Sequence, residues 1–143
     1  SQARLALARE LGAEVHASAD PAFADLAALD RAFDHVLTTA PTTALAPALR
    51  FLAYGGIQSF VGIGTGDGTI SFDANDFHVR KLQLRASYSS PAIAFPAVLR
   101  LMRAGVIPAR RLVSHILPLD RAPEAFALCR DRKDEAIKVV ITP

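Results

Sequence analysis

The feature of the sequence that most constrains the fold is a short apolar segment that opens into a glycine-rich loop. Residues 57–63 (IQSFVGI) carry apolar side chains without strict alternation, and glycines stand at positions 62, 64, 66 and 68. A strand that is buried on both faces needs no alternation, and such strands occur in parallel sheets covered by helices. The loops at the carboxyl ends of these strands are where open α/β sheets bind ligands. The segment therefore predicts a central strand over residues 57–63 and a ligand-binding loop after it.

Strands and helices alternate along most of the chain. Besides the central strand, the sequence predicts strands at residues 14–17, 33–38, 81–86 and 137–142, and a polar loop over residues 64–76. Apolar spacing and capping residues predict a helix that ends at Gly12, one that begins at Asp20-Pro21, one from Thr42 or Thr43 to the Gly55-Gly56 pair, one over residues 91–104 and one capped by Asp120. This alternation predicts an α/β fold with a doubly wound parallel sheet.

Several side chains are predicted to be structural and not reactive. Cys129 is the only cysteine, which excludes an internal disulfide, and its helical setting predicts a buried thiol. The histidines at positions 16, 35, 78 and 115 lack the spacing of a metal site, so His115 is expected to pack or to form a hydrogen bond. The helix over residues 91–104 is expected to turn one apolar face inward, made up of Phe95, Val98, Leu99 and Met102.

The glycine-rich loop does not match the dinucleotide-binding fingerprint. That motif, G-x-G-x-x-G, leads directly into a helix whose amino end holds the pyrophosphate. Here the third glycine comes one residue early, and the residues that follow, 69–72 (TISF), do not begin a helix. The loop is therefore interpreted as a segment near a ligand and not as a pyrophosphate cradle.

Composition argues against several function classes. The chain has 143 residues, the size of one domain, and 51% of them are hydrophobic, which is enough for a core. The 16 basic and 14 acidic residues give a net charge of +2 and form no basic stripe with interleaved aromatic residues, so nucleic acid is not an expected partner. No apolar run reaches the roughly 18 residues of a membrane helix. No signal-peptide pattern opens the chain, so a cytoplasmic location is expected.

Five segments, in this order along the chain, resemble a known family. They are RLALARELGAEV at 4–15, the stretch 33–64 that begins FDHVLTTAP, KLQLRASYSS at 81–90, LVSHILPLDRAPEAFALC at 112–129 and KVVITP at 138–143. The chain resembles the medium-chain, alcohol-dehydrogenase-like superfamily, and within it the zinc-containing alcohol, polyol and threonine dehydrogenases. The pattern S-H-x-x-P-L-D-x-A-x-E-A-F followed by K-V-V-I-x-P is the more specific part of this resemblance.

The resemblance implies the C-terminal portion of such a dehydrogenase. The family's Rossmann-like doubly wound sheet would be incomplete, because its first two strands, its Gly-rich turn and the acidic residue for the ribose precede the matched segments. Residues 1–88 would form a partial nucleotide-binding domain. Residues 89–143 would form a helix–helix–strand segment that packs on this domain and in the family returns to the catalytic domain. The family's zinc ligands have no counterpart in this sequence.

The activity that the resemblance implies is hydride transfer from a secondary alcohol or polyol to NAD or NADP. In the whole enzyme, zinc would polarise the alcohol oxygen. This chain alone is expected to be inactive, because it has neither the zinc ligands nor the pyrophosphate turn. The alternative is a non-catalytic truncated module for oligomerisation or weak nucleotide binding. A zinc-free quinone reductase is a third interpretation, which the polyol-like S-Y-S-S and S-H-x-x-P-L-D segments disfavour. The substrate, and the choice between NAD and NADP, stay open.

The resemblance also assigns nine cofactor-binding residues. Arg4 would lie near the adenosine ribose, and Lys138 would reach the pyrophosphate, where a cation is needed. Without the resemblance, Arg4 is a solvated helix charge and Lys138 an exposed lysine at a strand edge. The ends of three family strands would supply the other seven residues: Thr39 and Ala40 on the adenosine or ribose side, Val61, Gly62 and Ile63 beside the nicotinamide and its ribose, and Ala86 and Ser87 near the carboxamide.

Three residues near the predicted site differ from those that the family usually has. Thr38 stands where the family usually has glutamate, Pro41 where it has glycine, and Ala86 where polyol enzymes usually have glycine. These departures concern the local loop geometry and not the family.

Residues 82–86 (LQLRA) alternate polar and apolar side chains, like the strand that pairs with its twin across the family's dimer axis. The resemblance therefore predicts a homodimer through this edge strand.

Overall fold

A computed structural model of the chain describes residues 1–17, 30–64, 66–89 and 92–143. They belong to two compact units, Pro21–Ser89 and Ser1–Asp20 together with Ser90–Pro143. We call them the three-stranded unit and the two-stranded unit after their sheets. The predicted helix that begins at Asp20-Pro21 lies outside the described residues.

The first helix of the chain belongs to the two-stranded unit. The Ser1 hydroxyl donates a hydrogen bond to the carbonyl of Asp134 at 3.0 Å. The Arg4 guanidinium donates to the carbonyl of Ala136 at 3.1 Å. The predicted assignment of residues 1–88 to a partial nucleotide-binding domain, and of residues 89–143 to a helix–helix–strand segment that packs on it, stays a prediction.

The three-stranded unit is built on a parallel sheet. Its strands are β1 (Phe33–Thr38), β2 (Leu52–Phe60) and β3 (Gln83–Ala86), in the order β1-β2-β3, and both pairs are parallel. Between β1 and β2 the chain forms a helical stretch: a 3₁₀ turn over Thr42–Ala44, the helix α2 (Leu45–Ala48) and a second 3₁₀ turn over Leu49–Phe51. This arrangement confirms the α/β class and the parallel, partial Rossmann-like sheet.

The central strand begins and ends earlier than the sequence predicts. Phe33 pairs with Leu52, and the next partner pair is His35 with Ile57, so β2 bulges between the two pairs. Gly55 lies in this bulge with a φ of 76° and donates its amide to the carbonyl of Arg80 at 2.8 Å. Glycines with a positive φ occur both in β-bulges and at the ends of helices. The prediction that a helix ends at the glycine pair was therefore wrong.

A short helix follows the loop after β2, and the sequence interpretation missed it. The helix α3 (Ala74–Val79) begins at Asp73, whose carboxylate accepts the amides of Asn75 at 2.8 Å and Asp76 at 3.1 Å. An aspartate that accepts these amides is a standard helix start, so the signal was present in the sequence. The helix brings Phe77 onto a core of Leu49, Leu52, Leu82 and Val36.

The two-stranded unit contains most of the helices of the described chain. Its elements are α1 (Gln2–Glu10), α4 (Phe95–Arg103), α5 (Ala109–Leu112), β4 (His115–Pro118), α6 (Ala122–Asp131) and β5 (Val139–Thr142). Strands β4 and β5 are parallel, with His115 opposite Val139. Leu117, Ala125 and Leu128 form the core, with Val139 packed against them.

The strands of this unit differ from the predicted ones at two places. Residues 14–17 are not a strand, and β4 was not predicted. Four residues that end in a proline carry almost no local strand signal, and β4 exists because β5 pairs with it. The closing strand was predicted and is confirmed, although it begins at Val139.

Some side-chain placements in this unit also correct the sequence interpretation. The face of α4 that was expected to point inward is exposed, and the described residues leave it uncovered. Cys129 is exposed and not buried. The last helix begins after Arg121 without a side-chain cap, because Asp120 lies in the preceding 3₁₀ turn. The exposed members of the α4 face are Phe95, Val98, Leu99 and Met102.

None of the helices in the described part of the chain is long and apolar enough to cross a membrane. The cytoplasmic location stays a prediction.

Candidate functional site

The carboxyl ends of the three parallel strands meet at one edge of the sheet. The amide of Val61 donates to the carbonyl of Thr38 at 3.1 Å, and the amide of Ser87 donates to the carbonyl of Phe60 at 2.9 Å. The structure thus places seven of the nine predicted residues just after β1, after β2 and at the end of β3. We call this set the strand-end edge: Thr39, Ala40, Val61, Gly62, Ile63, Ala86 and Ser87.

The loop after β2 lies directly on the loop after β1. A Cβ atom added at Gly62 would lie 1.9 Å from the carbonyl oxygen of Ala40 and 3.1 Å from that of Thr39. A Cβ added at Gly64 would lie 2.6 Å from the hydroxyl oxygen of Thr42. Only glycine fits at Gly62, because the neighbouring atoms belong to the backbone. The sequence predicted that this glycine lies in a loop near a ligand, but it did not reveal the contact with Ala40.

The strand-end edge presents backbone and apolar surface to solvent. Val61 is 47% exposed and Ile63 is 70% exposed. Thr39, Ala40 and Ser87 are also exposed. None of the seven side chains is ionised near neutral pH. The edge can therefore bind a ligand through backbone groups, hydroxyls and apolar contact, but its own side chains supply no acid, base or metal ligand.

A buried polar pair lies under the strand-end edge. The side chain of Gln58 is fully buried, and its amide nitrogen donates to the hydroxyl of Thr38 at 2.9 Å and to the carbonyl of Leu45 at 3.1 Å. Thr38 is also buried. The carbonyl oxygen of the Gln58 side chain has no hydrogen-bond partner among the described residues. Sequence reasoning missed this pair, although a glutamine within an apolar strand is a visible signal.

A second buried polar group lies near the start of β2. The guanidinium of Arg80, which is 8% exposed, donates to the carboxylate of Asp76 at 2.8 Å, to the carbonyl of Leu49 at 3.4 Å and to the carbonyl of Leu52. These contacts join α3 to the segment that leads into β2. The sequence interpretation did not single out Arg80.

Arg80 also lines a cavity of about 310 Å³. The charges around it pair with one another: Arg50 lies 2.6 Å from Asp30, and Arg31 lies 3.8 Å from Asp76. Among the described residues, each arginine of the lining has an anionic partner, and the carboxylate of Asp73 accepts backbone amides at the start of α3. We place the candidate site at the strand-end edge and not here.

Arg4 and Lys138 lie in the two-stranded unit. Arg4 is partly buried and donates to the carbonyl of Ala136. Lys138 is exposed, and its carbonyl accepts the amide of Ser114 at 2.9 Å and the Ser114 hydroxyl at 3.1 Å. The backbone at Lys138 is therefore held in place while its ammonium group stays in solvent. The proposed roles of both residues stay predictions.

His115 takes part in the same small network. Its Nδ1 atom lies 3.0 Å from the hydroxyl of Ser114, which also accepts the amide of Ile137 at 3.0 Å. This agrees with the hydrogen-bonding role expected for His115. Across residues 1–17, 30–64, 66–89 and 92–143, no group of three or more His, Cys, Asp or Glu side chains is arranged to hold a metal ion. These residues therefore do not fit a zinc site.

One adjacent ion pair at the end of α6 gives a pH prediction. The Arg130 guanidinium hydrogen-bonds the Asp131 carboxylate at 2.7 and 2.8 Å and lowers the pKa of that carboxyl below its usual value. A lowered pKa means that the stabilising effect is present above the unfolded-state pKa of about 3.9. It is lost as the pH falls through the lower, folded-state pKa. We expect Arg130→Gln to raise the pKa of Asp131 in an NMR titration; an unchanged value would show that the pair does not form in solution.

The sequence of the chain is similar to those of known dehydrogenases. No protein-family model matches the chain. Over 103 residues it is 32% identical to L-arabinitol 4-dehydrogenase of Hypocrea jecorina, a match that covers 72% of this chain and 26% of that enzyme. Over 101 residues it is 28% identical to an uncharacterized zinc-type alcohol dehydrogenase-like protein of Bacillus subtilis, covering 71% of this chain and 26% of that protein.

A solved structure matches the whole chain. The alcohol dehydrogenase from Thermus sp. ATN1 is 29% identical and superposes with a TM-score of 0.83, covering 100% of this chain and 42% of that one. The chain spans about a quarter of the length of the two dehydrogenase sequences that it matches. The parallel sheet with its loops gathered at one edge, together with these matches, assigns the chain to the alcohol-dehydrogenase-like class of proteins. The chain belongs to the medium-chain alcohol dehydrogenase family and corresponds to its C-terminal portion.

Proposed function

We propose that the strand-end edge is one wall of an NAD(P) site. The chain would be the distal part of an NAD(P)-dependent, zinc-assisted dehydrogenase that oxidises a secondary alcohol or polyol. The observation that carries this proposal is the contact of Gly62 with Ala40 at the carboxyl ends of two parallel strands, where Ala40 and Val61 are exposed. Ligands of open α/β sheets bind at this end of the strands.

The chain's own residues would bind and orient the cofactor. The nicotinamide, when bound, accepts the hydride. Val61 and Ile63 would cover the nicotinamide and its ribose with apolar surface and exclude water. Ser87 would present its hydroxyl to the carboxamide, while Thr39 and Ala40 would contact the adenosine or ribose side.

We further propose that this chain alone does not turn over alcohol. The described residues offer no zinc site, so no step through zinc is assigned to them. In the whole enzyme the metal would be held by a part of the protein that this chain does not include. A steady-state assay of the purified chain with zinc, NAD and a polyol is expected to show no NADH formation. Zinc-dependent turnover by the chain would contradict this proposal.

The nucleotide proposal can be tested by NMR titration, because the two halves of the cofactor should perturb different residues. NADH is expected to shift the amide signals of Thr39, Val61, Ile63 and Ser87. ADP-ribose, which lacks the nicotinamide, should shift Thr39 and leave Ile63 and Ser87 unchanged. If NADH shifts none of these signals in a folded chain, the strand-end edge is not a nucleotide site.

The affinity measured in the same titration separates the two main interpretations. Signal shifts that appear only at millimolar NADH would favour a part that depends on the rest of a dehydrogenase for the pyrophosphate contacts. Micromolar binding by the chain alone would favour the alternative, a surviving nucleotide-binding module. Parallel titrations with NADH and NADPH report which cofactor is preferred.

We also propose a homodimer through the edge strand at residues 82–86. Strand β3 is the last strand of the described sheet, and its residues Gln83 and Arg85 are exposed. The amide of Ser87 faces β2, so by alternation the amide of Leu84 faces away from it and is free to pair with a second copy.

Analytical ultracentrifugation of Leu84→Pro tests this dimer. The substitution removes the outward amide and is expected to shift the chain to a monomer. Leu84→Val keeps that amide and is the matched control, which should remain dimeric. A wild-type chain that sediments as a monomer would contradict the proposal.

A further inference from the structure

Gln58 holds both ends of the loop that follows β1. One of its side-chain N–H groups donates to Thr38, the last residue of β1, at 2.9 Å. The other donates to the carbonyl of Leu45, where α2 begins, at 3.1 Å. Residues 39–44 lie between these two points. A single side-chain amide therefore fixes the start and the end of the loop that contains Thr39 and Ala40.

The loop in turn positions the strand-end edge. Ala40 makes the close contact with Gly62. The carbonyl of Thr38 accepts the amide of Val61, and the carbonyl of Pro41 accepts the amide of Ala44 at 2.9 Å. A shift of the loop would therefore move the backbone on both sides of the edge.

We propose that Gln58 is a positioning residue, which acts through Thr38 and Leu45 to hold loop 39–44 in the conformation that receives the adenosine or ribose side of the nucleotide. This inference rests on the nucleotide site proposed above. It adds a residue that does not itself touch the cofactor.

Stability alone does not explain a glutamine at this position. The side chain is fully buried, and its carbonyl oxygen has no partner in the described part of the chain. A buried acceptor without a partner is unfavourable, and an apolar side chain of similar size would avoid that cost. The two donated hydrogen bonds are specific in direction, whereas apolar packing is not. The glutamine is therefore less favourable for stability than an apolar residue of similar size, but its two hydrogen bonds fix the position of the loop.

Thr38 is the second residue of this polar pair, and it is also buried. A threonine hydroxyl is a short acceptor that fits beside the Gln58 amide in a buried site, and the contact depends on both residues. Variants at either position should therefore weaken nucleotide binding.

Gln58→Leu is the principal test, because it removes both donors and the unpartnered oxygen while keeping an apolar side chain in the core. We expect NADH binding about tenfold weaker. The thermal midpoint should change little, because the variant removes the unpaired Gln58 oxygen but also removes the hydrogen bonds that Gln58 donates to the Thr38 hydroxyl and the Leu45 carbonyl. A purely structural role for Gln58 predicts the opposite pattern, with a lower midpoint and unchanged affinity.

Two variants at Thr38 control for the chemistry of the contact. Thr38→Val removes the acceptor with little change in shape and should weaken NADH binding, but less than Gln58→Leu does, because the hydrogen bond to Leu45 remains. Thr38→Ser keeps the hydroxyl and should retain the wild-type affinity. Equal affinities for Thr38→Val and Thr38→Ser would overturn the proposal.

Amide hydrogen exchange tests the positioning without nucleotide. In Gln58→Leu the amides of Ala44 and Val61 should exchange about tenfold faster. The amide of Ser87, which bonds to Phe60 on the other side of β2, should be unaffected. Unchanged exchange at Ala44 and Val61 overturns the positioning role. If the wild-type chain binds no NADH but the exchange pattern appears, the nucleotide site fails while Gln58 still positions the loop.

Discussion

Replacing Gly62 with alanine is expected to destabilise the three-stranded unit by about 3 kcal/mol and to abolish NADH binding at the strand-end edge. The added Cβ would lie 1.9 Å from the carbonyl oxygen of Ala40 and 2.8 Å from its carbonyl carbon. Backbone atoms cannot rotate away as a side chain can, so the two loops must separate. The separation costs packing energy and moves Ala40 out of the site.

A second glycine in the same loop provides the control for Gly62. Gly68 has a φ of 66°, and an added Cβ would meet nothing within 4 Å. Gly68→Ala therefore has a conformational cost of about 1 kcal/mol but no clash. Urea unfolding followed by circular dichroism gives both free energies, and the NADH titration gives both affinities. Equal effects of the two substitutions would show that the contact between Gly62 and Ala40 does not matter.

Replacing Arg80 with methionine is expected to lower the free energy of unfolding of the three-stranded unit by about 3 kcal/mol. The guanidinium is 8% exposed and supplies donors to the carbonyls of Leu49 and Leu52 and to the Asp76 carboxylate. Methionine fills similar space without any donor. The two carbonyls would lose their partner in a buried setting, and Asp76 would lose its ion pair. Arg80→Lys should recover only part of the loss, because one ammonium group cannot reach three acceptors spread around a planar fork.

Arg50 provides the matched control for Arg80. Its ion pair with Asp30 is about half exposed, with side-chain exposures of 50% and 45%. Exposed pairs of this kind contribute about 0–1 kcal/mol. Arg50→Met should therefore unfold at nearly the wild-type urea concentration. A similar loss for both arginine variants would mean that charge, and not the buried hydrogen bonds, stabilises this region.

The sequence predicted the strands whose signal is local. Residues 33–38 were predicted as a strand and form β1 with the same bounds. The alternating segment at 81–86 contains β3. In both cases the side chains themselves favour an extended chain. The parallel arrangement followed from alternation with helices, and the structure confirms it.

Elements that depend on a distant partner were missed or misplaced. Strand β4 is stabilised by pairing with β5, which comes more than twenty residues later along the chain. The Gly55-Gly56 pair fits a helix end and a strand bulge equally well in sequence. Its bulge is settled by the pairing of β2 with β1 and by the bond from Gly55 to the carbonyl of Arg80. Local propensity cannot distinguish such cases, because the deciding contact is absent from the local sequence.

The sequence by itself determined the family and the strand ends that form the candidate site, because residue types at strand ends follow the order of the chain. Only the tertiary structure decided that Gly62 lies against Ala40 and that Gln58 bonds to Thr38. These contacts join residues about twenty positions apart. Their distances depend on how two strands register, and the pattern of residues along one strand does not specify that register.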